Sequence, residues 1–438
     1  MTTRLSRLRV SENRRFLVTD DGAPFFYLAD TAWELFHRLD RVETLRSLRA
    51  RAAKGFNVIQ AVALAELHGL GGPNRAGHYP LEADDPTRPV EAYWAHIDWT
   101  IEQAAALGLR IGLLPTWGDK WNKRWGIGPE IFNPDNAHHY GRWIGARYAA
   151  AGVIWIVGGD RPIESPVHRQ IIDAMAAGIR AGDAGHHLMT FHPNGGHGSA
   201  EYLHDAPWID FHMWQSGHNR NAPTYSHIRT DYARNDPVRP VLDGEPGYED
   251  HPSAFKLENG YLEDYDCRKS FYWSVFSGAC GYTYGAHPIW QFWHAGRKPL
   301  SFCRRDWIAA LSLPGSAQLV HGRRLIQSRP YLERIPDQSI IASDSPEGAH
   351  HVTATRAADG SYAMIYLPYY NTVRIATHSL SGKTLQLWWF DPRTGVATRA
   401  ETRARSDQPI ELTPPQGEGP DWVLVIDDVA RGFGAPGQ

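Results

Sequence analysis

Short apolar runs alternate with amphipathic stretches along the first three quarters of the chain, and this alternation constrains the fold more than any other feature. The strand-like runs are Pro24–Ala29, Phe56–Leu64, Arg110–Thr116, Val153–Val157, Leu188–His192, Ile209–Trp214, Pro240–Leu242 and Cys280–Tyr284. Helical patterns with their own punctuation separate most of them. Asp40-Arg41-Val42-Glu43 reads as a capping box ahead of Leu45, Leu48 and Ala52, and Gly55 stops that helix. Ala92–Leu107 ends at Gly108, while Asn133-Pro134 and Ser165-Pro166 each place proline at a first helical position. Eight such units over about 290 residues predict an α/β fold, a (β/α)8 barrel with right-handed crossovers. A doubly wound open sheet would carry a glycine-rich phosphate turn after its first strand; Ala29-Asp30-Thr31-Ala32-Trp33 is not one.

From residue 337 the texture changes. His350–Arg356, Tyr362–Leu367, Leu385–Phe390 and Trp422–Ile426 are strand-like, with turns at Asp359-Gly360 and Asp391–Gly395 and no helical period. The division expected is therefore a barrel with an N-terminal hairpin over 1–336 and an all-β sandwich over 337–438. Trp388 and Trp389 occupy adjacent strand positions, so at least one should face the sandwich interior, and the sandwich should brace the barrel.

The chain has 438 residues, 42% hydrophobic and 21% charged, with net charge −3, a balance that excludes a mostly disordered chain and a basic nucleic-acid or membrane binder. Three cysteines (Cys267, Cys280, Cys303) are too few for a disulfide framework. The opening MTTRLSRLRVSENRRF has no apolar core, so no secretory signal is read and the expected location is the cytoplasm. Seventeen tryptophans and 22 histidines are more ring surface than a core alone needs, and point to a ligand that stacks.

Barrel enzymes place their chemistry at the C-terminal strand ends. Those ends hold, in order, Asp30 and Trp33; Glu66 and His68; Trp117, Asp119 and Trp121; Asp160 and Arg161; His192 and Asn194; Trp214 and His218; Asp243, Glu245 and Glu249; and Tyr284 and His287. Carboxylates with indoles and histidines are the profile of a glycoside-processing site. Cleaving a glycosidic bond needs two carboxyl groups, about 5–5.5 Å apart for a nucleophile and about 6.5–9.5 Å for a water-activating base. Asp160 and Glu245 form the best pair: each follows an apolar strand and a glycine, and strands four and seven face one another across a barrel mouth. The competing readings are an ion pair of Asp160 with Arg161, and Glu245 as a helix cap or partner of Arg239. His192 and His212 on neighbouring strands are the candidate metal ligands; with no His-x-His at the first strand, neither a metal nor another cofactor is expected. No GxSxG and no phosphate loop occurs.

The segments FFYLADTAWELFHRL, KGFNVIQ, WIVGGDRP, LDGEPGYE, WWFDPRTG and DWVLVI resemble the apiosidase-like glycoside hydrolases, which pair a (β/α)8 domain with a β-sandwich of the collagen-binding type. The resemblance spans nearly the whole chain. It implies retaining hydrolysis of a terminal furanose such as apiose, with Asp160 as acid/base and Glu245 as nucleophile. By position, Asp30, Trp33, Trp117, Arg161, His192, Trp214 and His287 are expected to contact substrate. The expected partner is an oligosaccharide or small glycoside; no nucleic acid or membrane is expected. The alternatives are a carbohydrate-binding barrel without catalysis and a metal-dependent barrel hydrolase.

Overall fold

The computed structural model describes residues 5–416 and 419–438. Three short antiparallel strands open the chain: β1 (Leu8–Val10), β2 (Leu17–Thr19) and β3 (Pro24–Phe25). The barrel strands follow as β4 (Tyr27–Thr31), β5 (Val58–Leu64), β6 (Arg110–Thr116), β7 (Val153–Gly158) and β8 (Met189–His192), paired in parallel in that order. A two-residue β9 (His197–Gly198) lies antiparallel to β10 (His212–Gln215), which continues in parallel through β11 (Val241–Asp243) and β12 (Gly281–Tyr284) back to β4. Asp210 and Thr190 close the seam between β8 and β10. The Asp210 amide donates to the Met189 carbonyl at 2.9 Å, its carboxylate accepts from the Met189 amide at 2.8 Å, and the Thr190 hydroxyl donates to the Phe211 carbonyl at 2.6 Å. The result is the (β/α)8 barrel that the alternation predicts.

Each strand leads to a helix. The capping box on Arg41–Ala53 forms as read, with Asp40 accepting from the Glu43 amide and Glu43 from the Asp40 amide. Glu91–Ala106, Pro134–Tyr148, Pro166–Asp183, Thr224–Tyr232, Asp264–Phe276 and Gly315–Gln327 complete the outer layer, and the unit after β8 has only the single turn Ala200–Leu203. Among the described residues no helix is long and apolar enough to cross a membrane.

The C-terminal region is all-β. A six-stranded antiparallel sheet runs β13 (Arg334–Pro336), β14 (Thr353–Ala357), β15 (Tyr362–Leu367), β20 (Trp422–Asp428), β17 (Thr384–Phe390) and β18 (Ala397–Ala404). A two-stranded sheet of β16 (Val373–Ile375) and β19 (Ile410–Leu412) faces it. The period of two in β15 and β20 serves two cores. Ala363, Ile365, Leu367, Leu424 and Ile426 fill the sandwich, while Tyr362, Met364, Tyr366, Val423 and Val425 belong to the barrel's own apolar cluster. Trp389 faces the sandwich interior; Trp388 packs against the barrel cluster and donates to Asp427 at 3.1 Å.

Buried ion pairs fix the junction. Arg268, 3% exposed, grips the fully buried Asp421 with two bonds of 3.0 Å, and Tyr272 stacks on Tyr366 with ring centres 4.7 Å apart. Arg268→Met should therefore leave the Asp421 charge with only the Tyr366 hydroxyl at 3.3 Å and cost about 3–5 kcal/mol in urea unfolding. The double variant with Asp421→Asn should recover much of that loss; equal losses in the two proteins would show the pair to be unimportant.

Candidate active site

The geometry of the site starts with a backbone that only a few residue types tolerate. At the end of β7, Gly158 and Gly159 have φ of +104° and +107°, and Asp160 follows at +55°. A Cβ on Gly158 would lie 2.6 Å from the His192 carbonyl oxygen, and one on Gly159 would lie 2.9 Å from the Gly118 amide nitrogen. Aspartate is among the few side chains that adopt this left-handed region readily. The turn aims Asp160 into a cavity of about 630 Å³ at the C-terminal mouth of the barrel, and Glu245 lines the same cavity.

Different surroundings hold the two carboxyl groups. Glu245 is 4% exposed. Its Oε1 accepts from the Tyr248 hydroxyl at 2.5 Å and lies 3.5 Å from His218 Nε2. Its Oε2 lies 2.8 Å from His192 Nε2, an oblique approach that leaves Oε2 without an aligned hydrogen bond. Burial alone would raise its pKa, but the His192 and His218 contacts outweigh burial and hold it at about 2. Asp160 is 23% exposed; its Oδ2 accepts from Arg161 Nη1 at 2.9 Å and from the Trp125 indole at 3.2 Å. Burial and the negative charge of Glu245 raise its pKa against these donors. Their environments thus push the two groups apart, one toward an acid and one toward a carboxylate.

His192 joins them. Its Nδ1 accepts from the Asp160 amide at 3.2 Å, which leaves the ring proton on Nε2, the nitrogen that faces Glu245. Trp33 and Trp117 pack around this ring at 5.4 and 5.8 Å between centres, and the Trp33 indole donates to the Tyr248 oxygen at 3.0 Å. Buried polar atoms without a protein partner gather around the cavity: Trp117 Nε1, Gln215 Oε1, His218 Nδ1 and Glu245 Oε2. Glu66 is a third carboxyl on the wall, with Oε1 3.5 Å from Arg161 Nη2. Burial pushes it up to about 8 despite Arg161, and nearby Asp160 adds to the rise.

The structure thus brings Asp160, Glu245, Trp33, Trp117, Arg161 and His192 together. Three expected substrate contacts are corrected. Asp30 points out to the helix layer, fully buried, with its Oδ2 2.8 Å from Arg51 Nε. Trp214 also faces outward, stacked on His227 at 4.5 Å and bonded to Asp231 at 2.7 Å. His287 is one layer behind the wall, its Nε2 3.1 and 3.0 Å from the Leu300 and Ser301 carbonyl oxygens, so it secures the loop that lines the cavity. Among the other strand-end residues, Asp243 is bonded to Ser216 and Ser274, and Glu249 to Tyr284 and the Gly315 amide, away from the cavity. Arg239 donates to the His204 and Ala206 carbonyls rather than to Glu245. His212 is occupied by Ser199 and His204, each 3.1 Å away, and no group of three or more His, Cys, Asp or Glu among the described residues is arranged to hold a metal ion.

Sequence reasoning missed Gln215, Tyr248 and Trp125. Gln215 follows Trp214 and has the opposite, inward parity on β10. Tyr248 follows Glu245 by three residues in the same loop. Trp125 lies in a loop without any period.

A family model described as "Apiosidase-like, catalytic domain" matches residues 11–333, and one described as "Putative collagen-binding domain of a collagenase" matches residues 335–427. A solved structure titled "Glycoside hydrolase" is 33% identical over 97% of this chain and 97% of its own, with a TM-score of 0.89. A glycoside hydrolase family 5 structure from Bacteroides vulgatus ATCC 8482 is 31% identical over 98% of this chain and 94% of its own, also at 0.89. No curated protein matches.

The raised pKa of Glu66 has a measurable consequence. An unfolded chain ionises this group above about 4.5, whereas the folded chain keeps it protonated to about 8, so it lowers stability progressively between those values. Glu66→Gln is neutral at every pH. It should be more stable than the parent at pH 7 by about 3 kcal/mol, with the gap closing below pH 4. Urea unfolding across pH tests this; a gap that does not vary with pH would show that Glu66 is ionised in the fold.

Proposed function

The chain belongs to the apiosidase-like glycoside hydrolases, and from that we propose a retaining, exo-acting enzyme that removes a terminal apiose-like furanose from an oligosaccharide or glycoside. The observation that carries the reading is the pair of carboxyl groups in one cavity, with the Asp160 pKa raised and that of Glu245 held at about 2. The furanose assignment rests on kinship. Exo action is supported by the buried rings of Trp33 and Trp117, which wall one side of the cavity and would stop a chain from running on past them.

In this mechanism Tyr248 holds Oε1 of Glu245 while Oε2 attacks the anomeric carbon. The bond to the leaving oxygen breaks, and that oxygen takes the Asp160 proton. Asp160, now a carboxylate, removes a proton from water. The water oxygen displaces Glu245 from the anomeric carbon and restores both groups with net retention. Trp117, Gln215 and His218 offer their unpartnered atoms to the sugar hydroxyls, as buried polar groups require. Arg161 and Trp125 steady the acid, and Trp33 orients Tyr248.

Two variants separate the roles. Glu245→Gln should abolish turnover of every furanoside. Asp160→Asn should lower kcat/KM about 10³-fold on alkyl furanosides but little on dinitrophenyl furanosides, which need no proton. Wild-type turnover in both variants would overturn the assignment, and an inverted first product by NMR would exclude retention. Because Glu245 stays ionised far below neutrality and Asp160 is raised above the ordinary aspartate range, kcat/KM should fall with rising pH as Asp160 loses its proton, with no ascending limb near neutrality.

A further inference from the structure

The cavity has unpartnered polar atoms among its buried lining and three large exposed apolar side chains, beside Asn194 and Ser301, at its open side. Its unpartnered polar atoms belong to buried side chains, whereas Trp125, Ile127 and Phe255 line the same cavity and are 57%, 43% and 55% exposed. Exposed large apolar side chains gathered at one opening mark a binding surface. They come from loops after β6 and β11, two well-separated barrel strands.

Trp125 fixes which end of the substrate this mouth receives. Its indole N–H donates to Asp160 Oδ2 at 3.2 Å, so its ring borders the acid. Guanidinium groups of Arg124 and Arg161 lie 4.9 and 5.0 Å from the ring centre and brace it. Both cations are already engaged, Arg124 by Glu164 and Arg161 by Asp160. Phe255 is held edge-on to His251 at 4.7 Å. An acid that protonates the leaving oxygen sits beside whatever that oxygen carries. A sugar could lay one C–H face on a single ring here while its hydroxyls stayed in water, whereas a flat aromatic group has no polar edge to satisfy and would cover more of the indole, phenyl and aliphatic carbon.

We propose that the leaving group is an aromatic aglycone, of phenolic or arylalkyl type, seated on Trp125, Ile127 and Phe255 at the mouth of the cavity. This deepens the glycosidase reading and rests on Asp160 as the proton donor.

The test has a binding arm and a kinetic arm on the full chain. Calorimetry with 4-methylumbelliferone should show one site, weakened about tenfold, or 1.4 kcal/mol, in Ile127→Ser and in Phe255→Ser, with no displacement by glucose. For kinetics, apiofuranosides of two primary alcohols of like basicity, 2-phenylethanol and the 6-hydroxyl of glucose, separate aglycone recognition from leaving-group reactivity. The phenylethyl compound should have about tenfold higher kcat/KM, expressed in KM, and either variant should erase most of that advantage. Absence of umbelliferone binding, equal binding in the variants, or preference for the glucosyl compound would overturn the proposal. A chain that cleaves no furanoside yet binds umbelliferone with the expected variant losses would refute the furanosidase reading while upholding the aromatic mouth.

Discussion

A single imidazole couples the two halves of the site. His192 accepts a hydrogen bond from the Asp160 amide on one nitrogen and faces Glu245 with the other. Its place depends on the left-handed turn at Gly158–Asp160, because the His192 carbonyl also accepts from the Gly159 amide at 3.1 Å. The turn, the ring and Glu245 are therefore linked across β7, β8 and the loop after β11. Here, opposite shifts of two carboxyl groups arise from ordinary causes: burial and a neighbouring charge for one, donors for the other.

Much of this was legible in the chain. Eight apolar runs with capped helices between them define the barrel, because strand and helix signals there are local and agree with the global fold. Asp160 and Glu245 stood out because glycine precedes each at a strand end. The misplacements of Asp30 and Trp214 share one cause. A barrel strand is buried on both faces, so composition does not mark which parity looks inward, and a one-residue choice decides between cavity and helix layer. On β4 and β10 the inward parity belongs to Thr31 and Gln215. The charged edge strand β18 also went unread: Arg399, Glu401 and Arg403 protect an exposed edge and hide the apolar alternation that signals a strand.

The third carboxyl, Glu66, changes how the site handles protons. Arg161 lies between Glu66 and Asp160 and does not neutralise both, so burial leaves Glu66 protonated while Asp160 keeps the shorter contact.

The two-faced sheet ties the barrel to the sandwich. Tyr362, Met364 and Tyr366 complete the same apolar cluster as the helix Asp264–Phe276, so that helix has no finished bed until the last hundred or so residues have been made. During synthesis the barrel must wait, partly open, for its carboxyl-terminal neighbour to leave the ribosome. Losing or exchanging either module would bare the apolar flank of the other, so each is a condition for the other's stability.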